Sequence, residues 1–73
     1  MPYRMRLANR LKVARAERNL SQEELAALVG VTRQTIGSIE KGQSSPSAIL
    51  AFRSSRSLGK SIDEIFYLEG DTV

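Results

Sequence analysis

The stretch Leu20-Ser-Gln-Glu-Glu-Leu-Ala-Ala-Leu-Val-Gly-Val-Thr-Arg-Gln-Thr-Ile-Gly-Ser-Ile-Glu-Lys-Gly42 decides the fold of this 73-residue chain. It contains two helix start signals and two stop signals in 23 residues. Ser21 and Glu24 have the S-x-x-E spacing of a capping box, in which the hydroxyl accepts from the third helical N–H and the carboxylate reaches back to the cap. Leu25, Ala26 and Val29 then form an apolar stripe, with Leu28 off it and expected to be partly exposed. Gly30 can take positive φ at little cost and ends that helix. Thr32 is a good N-cap for a second helix that runs to Glu40 or Lys41 and stops at Gly42. Ile36 and Ile39 supply its core face, with Val31 packing just ahead of the cap. Gly37 is out of place in a helix interior, where it costs about 1 kcal/mol against Ala. It is either a point of close approach or a neutral surface residue.

Working outward, Leu7, Leu11 and Ala14 recur at helical spacing and predict a helix from Tyr3 to Arg18, closed by Asn19. After the polar loop Gln43-Ser44-Ser45, Pro46 suits the first turn of a fourth helix with Ser45 as its N-cap. That helix runs to Leu58, and Gly59 closes it. Ser61 and Glu64 repeat the capping-box spacing ahead of a fifth helix with Ile62, Ile65 and Phe66 on its apolar side. The predicted fold class is all-α: a compact five-helix domain over residues 1–68 with a helix-turn-helix at its second and third helices. Residues 69–73 are left as a short acidic tail.

Composition narrows the chemistry. A chain this short forms one domain of modest stability. It has no Cys and no His, so the usual general base and the commonest zinc ligands are missing, and no metal or cofactor is expected. No segment approaches the roughly 18 apolar residues of a membrane span, and the basic start Met1-Pro2-Tyr3-Arg4-Met5-Arg6 is not followed by a signal-peptide core. The expected location is cytoplasmic. Residues 1–60 hold all eleven Lys and Arg and only four acids, a balance of +7, whereas residues 61–73 carry −4. A basic body favours polyanions. Signals for catalysis are weak: Gly59-Lys60-Ser61 lacks the remainder of a phosphate loop, Ser57 and Lys60 match an S-x-x-K spacing by chance in a Ser-rich segment, and the acid pairs Glu23-Glu24 and Asp63-Glu64 sit where helix dipoles favour them. The chain does not read as an enzyme.

Two helices joined by a tight turn form a device for setting one helix end into the major groove of duplex DNA while the other crosses the backbone. On that geometry, Gln22 brings an N–H and an amide to a phosphate at the start of the first of the two helices. Gln34 can pair bidentately with adenine, and Arg33 with guanine or a phosphate. Thr35 offers a methyl or a hydroxyl, and Ser38 lies one turn further on the same face. Thr32 at the helix start belongs to the same set, and Lys41, Gln43 and Ser44 lie where the far backbone would be held.

The motifs Leu-Ser-Gln-Glu-Glu-Leu-Ala at 20–26, Gly30-Val31-Thr32-Arg33-Gln34-Thr35-Ile36, Ile39-Glu40-Lys41-Gly42, Pro46-Ser47 and Ser61-Ile62-Asp63-Glu64-Ile65-Phe66 resemble the Cro/C1-type, phage repressor-like helix-turn-helix proteins, over roughly residues 5–68. The resemblance implies a homodimer that binds a palindromic operator in double-stranded DNA, most simply as a repressor. It places DNA contacts at Gln22, Arg33, Gln34, Thr35 and Ser38, with backbone holders at Lys41 and Gln43. It also implies an ion pair between Arg15 and Glu40 that fixes the recognition helix without touching DNA. The chain departs from the pattern at Ala48, Ser54, Ser55 and Lys60. The run Arg53-Ser54-Ser55-Arg56-Ser57 is unusually polar for a core helix, and a shifted buried face carrying Ile49, Leu50 and Phe52 would compensate. The dimer contact is expected in the fourth and fifth helices and at Phe66-Tyr67-Leu68. The alternative use of such a fold is a protein-binding adaptor or antitoxin-like scaffold with an unknown protein partner.

Overall fold

The computed structural model describes residues 3–72, with side chains described for residues 5–70. Five helices, α1 (Leu11–Glu17), α2 (Gln22–Val29), α3 (Arg33–Glu40), α4 (Ala48–Leu58) and α5 (Ile62–Ile65), are flanked by two strands, β1 (Tyr3–Asn9) and β2 (Phe66–Thr72). The strands pair antiparallel into a two-stranded sheet, with Leu7 opposite Leu68 and Asn9 opposite Phe66.

The ribbon overturns the all-α expectation. Residues 3–9 do not begin the first helix, because their alternation of Tyr3, Met5 and Leu7 with Arg4, Arg6 and Ala8 has a period of two and finds a partner at the other end of the chain. The expected acidic tail is that partner: residues 69–72 continue β2. The charge imbalance thereby becomes a pairing code. The register sets Arg4 opposite Asp71 and Arg6 opposite Glu69, and Arg6 Nη2 lies 3.1 Å from Glu69 Oε2. Such exposed pairs add little stability. They do disfavour a slip by one residue, which would part Arg6 from Glu69 and turn every side chain of one strand to the other face. Helix α1 starts only after Asn9, whose Oδ1 accepts from Leu11 N at 3.0 Å, while Arg10 N donates to Ile65 O at 2.7 Å and ties the ribbon base to α5.

Local chemistry sets the other helix ends. Ser21 Oγ accepts from Glu24 N at 3.0 Å and Ser21 N donates to Glu24 Oε1 at 2.8 Å, completing the box that starts α2. Gly30, at φ 79°, turns the chain from α2 toward α3. Pro46 precedes the N-cap of α4 instead of sitting in its first turn: the cap is Ser47, whose Oγ accepts from Leu50 N at 3.1 Å. The core comprises Leu11 and Ala14 of α1, Leu25, Ala26 and Val29 of α2, Ile36 and Ile39 of α3, Leu50 and Leu58 of α4, and Ile65 and Phe66.

Helix α4 does not shift its buried face toward Ile49 and Phe52. It buries Leu50, Ser54 and Leu58 at i, i+4 and i+8, and leaves Ile49 and Phe52 63% and 62% exposed. Its polar residues, and Arg18 from the end of α1, have specific uses. Arg53 Nη1 donates to Val29 O at 3.4 Å at the end of α2, Arg18 Nε donates to Leu58 O at 3.0 Å at the end of α4 itself, and Ser55 Oγ bonds Lys60 O. Carbonyls at helix ends have no intrahelical donor, so each arginine satisfies a group that the helix leaves open. Ser54 is the exception: it is fully buried and its Oγ has no partner among the described residues. A buried hydroxyl without a hydrogen bond destabilises the fold. Ser54→Ala is therefore expected to stabilise the protein by about 1 kcal/mol in urea or thermal unfolding. A loss of stability would mean that the hydroxyl is hydrogen-bonded.

Candidate nucleic-acid interface

The exposed tip of α3 is built from its N-cap. Thr32 Oγ1 accepts from Thr35 N at 3.2 Å, which fixes the first turn and sets Arg33 and Gln34 at the solvent-facing end of the helix. Both are exposed, and among the described residues neither side chain has a hydrogen-bond partner. Thr32 Oγ1 and Thr35 Oγ1 lie 3.0 Å apart and bond each other, so the Thr35 hydroxyl already has a partner within the helix. At the other end, Gly42 at φ 76° reverses the chain. Gln43 N and Ser44 N then return to Ser38 O at 2.9 and 3.3 Å.

Between the start of α2 and the outer face of α3 runs an open cleft lined by Gln22, Arg33, Gln34, Gly37, Ser38, Lys41 and Gln43. Six of the nine candidate contact residues thus share one surface. Thr32, Thr35 and Ser44 are not part of its lining. The cleft is polar and carries two cations with no acid among its walls, a composition suited to a polyanion. Gly37 forms part of the wall, and a Cβ there would stand 3.7 Å from Gln22 Nε2. That is ordinary contact distance, so no close approach of α2 and α3 requires the glycine.

Beneath the cleft lies a charged network. Arg15 Nε and Nη2 donate to Glu40 Oε2 and Oε1 at 2.7 and 3.2 Å, and Arg15 Nη1 donates to Leu20 O at 2.8 Å. Gln22 Nε2 donates to Glu40 Oε1 at 3.0 Å. Gln22 is accordingly half-buried and partly engaged, not a free surface amide. The Glu40 side chain is 4% exposed and that of Arg15 14%. Burial pushes the Glu40 carboxyl up, but hydrogen bonds from Arg15 and Gln22, with the nearby charges of Arg15 and Lys12, outweigh it and hold the group below the usual carboxylate range. The Glu40 hydrogen bond correspondingly raises Arg15.

Sequence reasoning missed Asn9. Its Nδ2 donates to Ile39 O at 2.8 Å, so one side chain holds the last turn of α3 while its Oδ1 starts α1. An Asn two residues ahead of an apolar helical run is a capping signal, but it was hidden once the first helix was extended back through it.

Because the folded Glu40 carboxyl titrates below its unfolded value, its stabilisation is complete above the unfolded pKa of about 4.3 and disappears as pH falls through the folded value. Unfolding free energy is expected to drop on acidification below the normal carboxylate range. Glu40→Ala at neutral pH should cost about 3 kcal/mol, since it strands a largely buried guanidinium. Denaturant titrations at both pH values check this; a variant as stable as the parent would show that the network contributes nothing.

Residues 11–65 match the helix-turn-helix family model. An uncharacterized HTH-type transcriptional regulator of Methanocaldococcus jannaschii is 49% identical over 65 residues, which is 89% of this chain and 98% of the relative. One from Methanothermobacter thermautotrophicus is 59% identical over 58 residues, 78% of this chain and 84% of that protein. The crystal structure of the restriction-modification controller protein C.AhdI from Aeromonas hydrophila superposes with a TM-score of 0.71 at 34% identity, covering 75% of this chain and 83% of the other. With the two capped helices, the Gly30 turn and the exposed tip of α3, these likenesses show that the chain belongs to the Cro/C1-type helix-turn-helix family of DNA-binding transcriptional regulators.

Proposed function

We propose that this protein is a sequence-specific repressor that binds a palindromic operator as a homodimer, with α3 of each protomer in the major groove. The observation that supports it most is the pair Arg33 and Gln34, exposed at the tip of α3 and without hydrogen-bond partners among the described residues. Gln34 has the donor–acceptor pair that adenine presents in complement, and Arg33 the fork that fits guanine or a phosphate. Thr35, its hydroxyl engaged by Thr32, has its methyl left for thymine. Gln22, Thr32 and Ser38 flank the tip, while Lys41, Gln43 and Ser44 hold the phosphates beyond it. Occupying the site denies it to other proteins, which makes repression the simplest consequence. The work is done in the cytoplasm, where prokaryotic DNA lies.

The homodimer reading is supported by unburied apolar surface. Ile49 and Phe52 on α4 are more than half exposed, as is Leu68 on β2. Of the expected tail contacts, Phe66 belongs to the core and Tyr67 is half-buried with the Arg10 guanidinium 4.4 Å from its ring centroid, which leaves Leu68. A two-fold axis past the outer face of α4 would cover Ile49 and Phe52 with a second copy and set two recognition helices about one DNA turn, ~34 Å, apart.

Fluorescence anisotropy with a bound duplex tests the recognition helix. Arg33→Ala and Gln34→Ala should each cost about 1–3 kcal/mol and relax preference at one base pair per half-site. Affinity in every case should fall steeply with salt. Parent-like binding by both variants would remove α3 from the interface. Sedimentation should find a dimer that Phe52→Asp shifts to monomer at the same concentration; a monomeric parent at high micromolar concentration would contradict the symmetric assembly.

A further inference from the structure

Gln22 faces two ways. Its Nε2 donates to Glu40 Oε1 at 3.0 Å, and it also lines the cleft beside Arg33, Gln34 and Gly37. A carboxylate only accepts hydrogen bonds, whereas a primary amide has a donating and an accepting end. Glu40 therefore selects between the two flips of the amide: the NH2 group turns to the carboxylate, and Oε1 with one remaining N–H is left unused. Among the described residues Gln22 Oε1 has no hydrogen-bond donor. No rotation of the carboxylate admits the other flip, since neither oxygen can donate, and Arg15 holds both of them in place at 2.7 and 3.2 Å. Across the cleft, the missing side chain of Gly37 leaves the amide uncovered; a Cβ there would lie 3.7 Å from Nε2 and 3.9 Å from Oε1.

We infer that Glu40 is a positioning residue for DNA binding: through Gln22, it presents a pre-oriented acceptor and donor to the duplex in the cleft beside Gly37. The inference rests on the DNA-contacting role proposed for Gln22 above. Glu40 itself touches no DNA, since its side chain is 4% exposed beneath Arg15 and Gln22. The groups facing it are Arg15 and Lys12 from α1 and Gln22 from α2. A group already held in its binding geometry loses little side-chain freedom on association. A lock that merely kept α3 in place would have no effect specific to Gln22.

A double-mutant cycle in the full-length chain separates the two roles, read as affinity for a duplex selected by the parent protein. Glu40→Gln keeps the size of the side chain but can itself donate, so it no longer dictates the flip of Gln22. Gln22→Ala and Glu40→Gln should each weaken binding roughly two- to tenfold, the range of one net hydrogen bond. In the double variant the two losses should combine to less than their product, because part of the Glu40 effect passes through Gln22. Multiplying losses would overturn the inference while leaving Gln22 as a contact. No loss from Gln22→Ala would overturn both the inference and that contact, whereas the effect of Gln34→Ala still reports on α3. A second measurement stands even where Glu40→Gln fails to fold: in the NMR spectrum of the free parent, the Gln22 side-chain N–H signals should be widely split and should move as Glu40 protonates on acidification. Narrow signals indifferent to that titration would overturn the inference.

Discussion

The placement of α3 depends on one buried carboxylate. Glu40 is the last residue of α3, and its oxygens receive Arg15 from α1 and Gln22 from α2. Three short helices, none longer than eight residues, are thereby tied at one point. Isolated helices of that length are not stable in water, and packing has to supply what propensity cannot. Apolar contacts between Leu25, Val29, Ile36 and Ile39 are strong but non-directional. The bidentate Arg15–Glu40 pair adds geometry, because a planar guanidinium and a carboxylate meet well in few orientations. Asn9 holds the same end of α3 through Ile39 O.

The two ends of α3 consequently behave differently. Its C-terminal turn is bonded to β1, α1 and α2, whereas in its N-terminal turn Arg33 and Gln34 have no hydrogen-bond partner among the described residues. A surface that must exchange water for base edges gains from side chains that lack internal partners and from a backbone that does not move. The fixed end supplies the second condition, so the free end can meet the first.

Legibility in the sequence followed the range of the interactions. The limits of α2 and α3 were readable because Ser21 with Glu24, Gly30 and Thr32 act on neighbours within four residues. Their buried stripes were readable from period alone. The ribbon was not: Tyr3–Asn9 and Phe66–Thr72 become strands because each is the other's partner across the whole chain, and the helical spacing of Leu7, Leu11 and Ala14 was a coincidence of register. Helix α4 misled for a related reason. Serine at position 54 looked too polar for a core, yet the helix keeps its i, i+4, i+8 face and buries the residue, while two large apolar residues remain outside. At the site, residue types pointed to the cleft, but they assigned the Gln22 amide to a phosphate alone and held no sign that Glu40 would claim half of it.

If the Arg33-Gln34 tip of α3 reads base edges in a duplex, selection of bound sites from a random double-stranded library should return one enriched motif made of two half-sites related by two-fold symmetry, with their centres about one helical turn apart. Recovery of duplexes with no common sequence, bound equally well by all, would contradict it.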